Sequence, residues 1–157
     1  MKFNYYALKA IYLHEMDRFR RTLAQSLLSP VLSTSLYFIV FGSVIGGYVQ
    51  KIDGISYGSY IVPGLLMLTL LTQSISNTSF GIFFPKFNGT VYEILAAPIS
   101  TLEIVLAFVG AGATKTLIVG AMIFVTATFF VEVEVKYPIL MIFLLVLVSF
   151  TFALFGF

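Results

Sequence analysis

The residues able to do chemistry in this chain are few, and most lie inside apolar runs. The most suggestive is Gly110-Ala-Gly-Ala-Thr-Lys115-Thr116, which carries the glycines, lysine and hydroxyl of a phosphate-binding loop. That loop needs G-x-x-x-x-G-K-[ST], with glycine directly before the lysine so that backbone N–H groups can cradle phosphate. Here Thr114 holds that place and long apolar runs flank the segment, so the chain does not bind ATP by this route. Asn77-Thr-Ser79 and Asn88-Gly-Thr90 fit the glycosylation acceptor pattern. The first falls inside an expected membrane span and the second on the expected cytoplasmic side, so neither is usable. His14 is the single histidine, cysteine is absent, and no paired carboxylates share an intramembrane face. No triad, metal site or general acid/base pair is therefore expected, and no cofactor is expected to bind this chain.

Two polar features remain. One apolar run holds Thr69, Thr72, Gln73, Ser74, Ser76, Asn77, Thr78 and Ser79. Gln73 and Asn77, four apart, share a helix face with Thr69 and Phe80. A side-chain amide facing lipid is costly, so this face should turn toward protein or toward a water-filled path. Interhelical hydrogen bonding and a transport path both satisfy that requirement. The second feature is Lys115, eleven residues into another run. A lysine at the bilayer centre costs about 2.5–3.5 kcal/mol on insertion scales. Three readings of it stand: it snorkels to the inner surface, it meets an acceptor in the protein interior, or it lines the substrate path.

These residues must be positioned by membrane helices. The chain has 157 residues, 59% hydrophobic and 10% charged, with mean hydropathy +1.01. A soluble domain is about 25% charged, and so little charge cannot cover a water-facing surface. The fold class is all-α, a polytopic membrane protein. Residues 3–24 read as an amphipathic helix, with Leu8, Ile11 or Tyr12, Met16, Phe19 and Leu23 at helical spacing and Lys9, Asp17, Arg18 and Arg21 mostly elsewhere. This suits a helix in the membrane interface, or a basic flank that sets topology. Charge alternates with apolar groups there, unlike a cleaved signal peptide.

Four spans follow, at 26–49, 60–84, 104–131 and 138–157, each long enough for a hydrocarbon core of about 30 Å. Pro30 is expected in the first turn of the first span, and Gly42-Ser-Val-Ile-Gly46 offers a close-approach face. Pro63-Gly64 should loosen the start of the second. The third is long enough that it must tilt or begin along the interface. Between the second and third lies residues 86–100, in which a turn, a short helix from about Gly89 to Ala97 and a stop at Pro98 are expected. Lys2, Lys9, Arg18, Arg20, Arg21 and Lys86 fall on one side and Lys51 and Lys136 on the other. This imbalance puts the amino terminus and the 86–100 loop in the cytoplasm. No charged flank follows Phe157, and the ending reads as a truncation.

The basic amphipathic start, Gln25-x4-Pro30, Tyr37-Phe-Ile-Val-Phe-Gly42, Tyr60-Ile-Val-Pro-Gly64 and Glu93-Ile-Leu-Ala-Ala-Pro-Ile-Ser100 occur in this order across the chain. Together they resemble ABC-2 type transporter permeases, the membrane subunits of bacterial ATP-binding-cassette exporters. The resemblance implies a subunit of six spans in the cytoplasmic (inner) membrane, of which residues 1–157 hold the first four. It implies a second permease copy, contact with membrane lipids, and a cytoplasmic ABC ATPase subunit that carries ATP and magnesium; no nucleic acid is involved. The amphipathic start would be an interfacial connecting helix, and 86–100 the coupling element that meets the ATPase through Gly89, Thr90, Tyr92, Glu93 and Pro98. In related permeases the position near Lys115 is often basic. Gly42, Gly46, Gln73, Asn77 and Lys115 are the candidates for the path or for helix contacts. A helical scaffold without an ATPase partner is the alternative, and a membrane enzyme would need intramembrane His, Asp or Glu clusters.

Overall fold

The computed structural model describes residues 3–41, 51–52, 55–131 and 135–157. Six helices occur there in chain order: α1 Tyr5–Arg21, α2 Leu23–Val40, α3 Tyr57–Phe87, α4 Val91–Ala96, α5 Thr101–Phe130 and α6 Pro138–Gly156. Among the described residues the one strand pairing is a two-residue antiparallel ladder, β1 Lys51–Ile52 with β2 Ile55–Ser56, which pairs Lys51 with Ser56 and Ile52 with Ile55. Helices α2, α3, α5 and α6 are long and apolar enough to cross a membrane. The chain is thus an all-α polytopic membrane protein.

Helix α5 is the centre against which the others pack. Its inward positions are small where a neighbour comes close: Ala107, Ala111, Gly112, Ala113, Gly120 and Ala127 are buried. Without a hydrophobic drive between helices in lipid, close van der Waals approach over small residues carries much of the association. Helix α3 runs antiparallel to α5, with Thr78 against Gly112 and Leu70 against Gly120. A Cβ on Gly120 would stand 2.7 Å from Leu70 Cδ2, so the small residue is what sets the spacing there. Helix α6 lies across α3 and α5, with Ala153 on Val109 and Ala113 and the Phe157 ring 6.4 Å from that of Phe108. Helix α2 closes the far end of α5, where Phe38 packs with Val62 and Ala127 and stacks on Phe130 at 5.9 Å.

Several expectations change at residue level. Helix α2 starts at Leu23, so Pro30 lies inside it rather than in its first turn; the ring is buried on the inward stripe with Thr34 and Phe38. Proline in a helix interior removes one backbone bond and is tolerated in membrane helices because neighbours can answer the freed groups. Thr22 alone separates α1 from α2, and its hydroxyl back-bonds to the carbonyls of Arg18 and Phe19 at 3.2 and 3.3 Å. Helix α3 runs straight through Pro63-Gly64 and Pro85 from Tyr57 to Phe87, longer at both ends than the expected 60–84. Gly42 and Gly46 lie outside the described residues, as do parts of both links on that side.

The two glycine environments predict opposite outcomes. Gly112→Val drives a branched side chain into Thr78 and should cost about 1–3 kcal/mol of stability, as overpacking does. Gly64 has nothing within 4 Å of a would-be Cβ. Gly64→Ala should therefore hold or raise stability, since glycine is a poor helix former. Thermal unfolding of the detergent-solubilised variants by intrinsic tyrosine fluorescence checks both. Equal melting of the two would sink the packing argument.

Candidate functional site

The link between α3 and α5 is built from its ends inward. The last turn of α3 is closed by Asn88, whose N–H donates to Phe84 O at 3.0 Å. The chain then reverses at Gly89, whose φ of 78° lies in the left-handed region that only glycine enters freely. Thr90 O accepts from Glu93 N and Ile94 N at 3.1 and 3.3 Å, which starts the six-residue α4 within the expected 89–97 interval. Ala97 turns extended, with ψ 149°, as the residue before Pro98 must. An isolated helix this short has little stability of its own, so its fixed ends hold it.

None of the residues of α4 is buried. Tyr92 is 74% exposed and Leu95 65%, and Phe87 just before the turn is 76% exposed. Thr90, Glu93 and Pro98 are exposed as well, and Gly89 is half-buried. The five residues expected to meet a partner therefore share one short loop. It presents aromatic, aliphatic and acidic groups outward from the junction of the two longest helices.

Beside this loop, α1 is fastened along the first half of α5. Asn4 N–H donates to Glu103 Oε1, Tyr12 hydroxyl donates to Thr114 Oγ1 at 3.1 Å, and Lys115 Nζ donates to Glu15 Oε2 at 2.7 Å. These partners are 99, 102 and 100 residues apart, so the two helices run side by side in the same direction. Glu15 is 2% exposed and Lys115 3%. Arg18 adds a second cation to the same oxygen at 2.9 Å, and its guanidinium lies 6.0 Å from the centre of the Phe84 ring. Gly81 of α3 lies under the carboxylate, where a Cβ would stand 3.5 Å from Glu15 Oε2. Three helices thus enclose the Glu15–Lys115 pair, with the half-exposed Arg18 at its edge. Of the three readings of Lys115, the structure has the interior one, with an acceptor.

Neither carboxylate was singled out from sequence, yet both leave a signal there. Glu15 falls three residues after Tyr12 and four before Phe19, on the apolar stripe of an amphipathic helix. An acid in that register and a lysine inside a span each need a partner. Ser100-x-x-Glu103 is a capping-box pattern, and the box forms: Glu103 N–H donates to Ser100 Oγ at 3.3 Å and Ser100 N–H to Glu103 Oε2 at 2.8 Å.

The polar run of α3 turns partly toward protein, with its deepest residues one position beyond Gln73 and Asn77. The buried stripe of α3 is Gly58, Val62, Leu66, Leu70, Ser74, Thr78 and Gly81, and Gln73 and Asn77 flank it half-buried. Asn77 Nδ2 donates to Thr116 Oγ1 at 3.4 Å, Ser74 Oγ to Ser149 O at 2.6 Å and Ser79 Oγ to Gly156 O at 2.7 Å. These bonds tie α3 to α5 and α6. Lys115 and Thr116, adjacent on α5, face different neighbours, so Lys115 and Asn77 do not form one cluster.

Residues 6–157 match the ABC-2 type transporter family. The chain is 37% identical over 150 residues to the inner membrane transport permease YadH of Escherichia coli strain K12. It has the same identity to the permease of that name in Escherichia coli O157:H7 and in Shigella flexneri. The match covers 96% of this chain and 59% of each relative, so the chain spans well under two thirds of their length. No solved structure matches.

Removing one charge from the buried cluster should cost more than removing two. Glu15→Gln leaves Lys115 buried without its anion and should destabilise by about 3–5 kcal/mol, the cost of breaking a buried pair. Glu15→Gln combined with Lys115→Met removes the uncompensated charge and should recover most of that loss. Thermal unfolding of the purified variants reads the difference. A double variant less stable than Glu15→Gln would overturn the pairing.

Proposed function

Because the chain belongs to the ABC-2 type transporter family, we propose that it is the membrane-spanning part of an exporter permease driven by a separate ABC ATPase. The observation that carries this reading is α4. It is a short helix fixed at both ends between the two longest helices, with no buried residue and with Tyr92 and Leu95 outward. Exposed aromatic anchors surrounded by polar groups are what protein contacts use. In this reading the ATPase binds on Gly89, Thr90, Tyr92, Glu93 and Pro98. Its ATP-driven closure moves α4, and the motion passes into α3 and α5, which continue from the loop on either side.

Orientation follows from the positive-inside rule. Lys2, Lys9, Arg18, Arg20, Arg21 and Lys86 against Lys51 and Lys136 place α4 and the start of α1 on the cytoplasmic side of the inner membrane. At 1.5 Å per residue, the 30 residues of α5 reach about 45 Å, beyond a hydrocarbon core of about 30 Å. The surplus at its start, about ten residues, brings the Asn4 end of α1 to the depth of the headgroups. A second permease copy completes the path. Half-buried Gln73 and Asn77 are its candidate lining residues on α3, with Lys115 held in the adjoining cluster.

The contact is tested with the assembled complex. Tyr92→Ala combined with Glu93→Ala should abolish stimulation of ATP hydrolysis by the permease, or weaken ATPase binding by roughly tenfold or more, as loss of a hot spot does. Co-purification and steady-state hydrolysis measure this. Undiminished stimulation with both residues replaced would remove α4 from the mechanism. For the path, single cysteines at Gln73 and Asn77 should react with a membrane-impermeant maleimide in the assembled transporter, whereas uniform protection would exclude this face.

A further inference from the structure

One carboxylate closes the start of two helices. Glu103 Oε2 accepts the Ser100 N–H at the beginning of α5, and Oε1 accepts the N–H of Asn4, which in turn caps α1 by accepting from Ala7 N at 3.2 Å. A capping-box glutamate normally serves its own helix. Here its second oxygen serves the neighbouring helix, and the positive ends of two parallel helix dipoles meet on it. Twelve residues along α5, about 18 Å at helical rise, the fastening has the opposite sense. There an α1 carboxylate, Glu15, is held by Lys115 of α5. The Tyr12–Thr114 hydrogen bond lies between the two. Helix α1 is therefore clamped to α5 at both ends of their contact, whereas Thr22, with φ −107° and ψ 17°, interrupts the path from α1 to α2. Ser100, which Glu103 also holds, is four residues beyond the end of α4 at Ala96.

We propose that Glu103 is a positioning residue that relays displacement of α4 to α1, so that α1 swings with α5 about the Thr22 joint. The relay rests on α4 being the ATPase contact. Its immediate consequence is that α1 and the first half of α5 move as one body when the ATPase closes.

The sequence contains no cysteine, so spin labels can be placed by introduced cysteines at Tyr6, Leu102 and Phe155, which are 84%, 73% and 83% exposed. Paired distances are measured in the permease assembled with its ATPase in lipid nanodiscs, without nucleotide and after trapping with Mg-ATP and vanadate. In the otherwise unaltered protein, trapping should shift Tyr6–Phe155 and Leu102–Phe155 together and leave Tyr6–Leu102 unchanged. In Glu103→Ala the Leu102–Phe155 shift should persist while the Tyr6–Phe155 shift falls roughly threefold or more, because the charged acceptor is gone and the Tyr12–Thr114 and Glu15–Lys115 ties that remain hold α1 only beyond its first two turns. Glu103→Gln keeps one acceptor oxygen and should fall between, which guards against misfolding of the alanine variant. A Tyr6–Leu102 distance that changes on trapping, a trapped state that shifts no pair, or α1 following α5 undiminished in both variants overturns the relay. An ATPase that fails to bind the unaltered permease overturns the proposed function and removes the relay's driver. Binding with α1 indifferent to Glu103 overturns the relay alone.

Discussion

A carboxylate removed from water has to be answered by cations or by N–H groups, and the position of α1 follows from that requirement. Glu15 carries its charge into a space bounded by α1, α3 and α5, where Lys115 and Arg18 meet the same oxygen. The cost of leaving either Glu15 or Lys115 unpaired there exceeds the gain from any single apolar contact nearby. Sliding α1 by one turn along α5 would move Glu15 about 5.4 Å from its cations. An apolar seam tolerates such a slip because one methyl resembles another, whereas an ion pair does not. The pair therefore sets the register of α1 and α5, and the Asn4–Glu103 and Tyr12–Thr114 bonds agree with that register.

That arrangement requires α5 to be thin. Gly112 admits Thr78, and Gly120 admits Leu70, while Ala107, Ala111 and Ala113 keep the rest of the contact face shallow. Helices α1, α2, α3 and α6 can then all reach one central helix. Lys115 extends from this same helix, and its long apolar stem lets the ammonium reach a carboxylate on a neighbour. The small residues and the buried charge are thus parts of one solution: closeness of the helices excludes water, and exclusion of water makes the pairing obligatory.

How much of this was legible in sequence depends on the range of the interaction. The all-α membrane class and the four spans follow from composition and from uninterrupted apolar length, which are local properties. The short helix before Pro98 was legible for the same reason, since glycine, proline and capping preferences act within a few residues. Pairings between distant residues were not. Glu15 and Lys115 are 100 residues apart, and no periodicity within either segment names the other. Which residues of α3 would be fully buried was not legible for a related reason. Spacing groups Gln73 with Asn77, but which side of a helix turns inward is decided by the neighbour, and Gly112 and Gly120 of α5 select the Leu70, Ser74, Thr78 side. Pro30 was misplaced because the helix begins at Leu23, where Thr22 ends the preceding helix and apolarity marks no boundary.

The bonds between α1 and α5 also decide what governs the inclination of α1. A helix held to the membrane only by apolar insertion and lipid charge would respond to lipid and not to a neighbouring span. Helix α1 is instead held to α5 by directional bonds at three levels, in parallel register, and its one break is Thr22, beyond the last of them. Its inclination is consequently set by α5. The same Glu103 that fixes it also ends the segment leading out of α4. Glu103 is thus one of three ties between the two helices, and the one nearest the exposed loop.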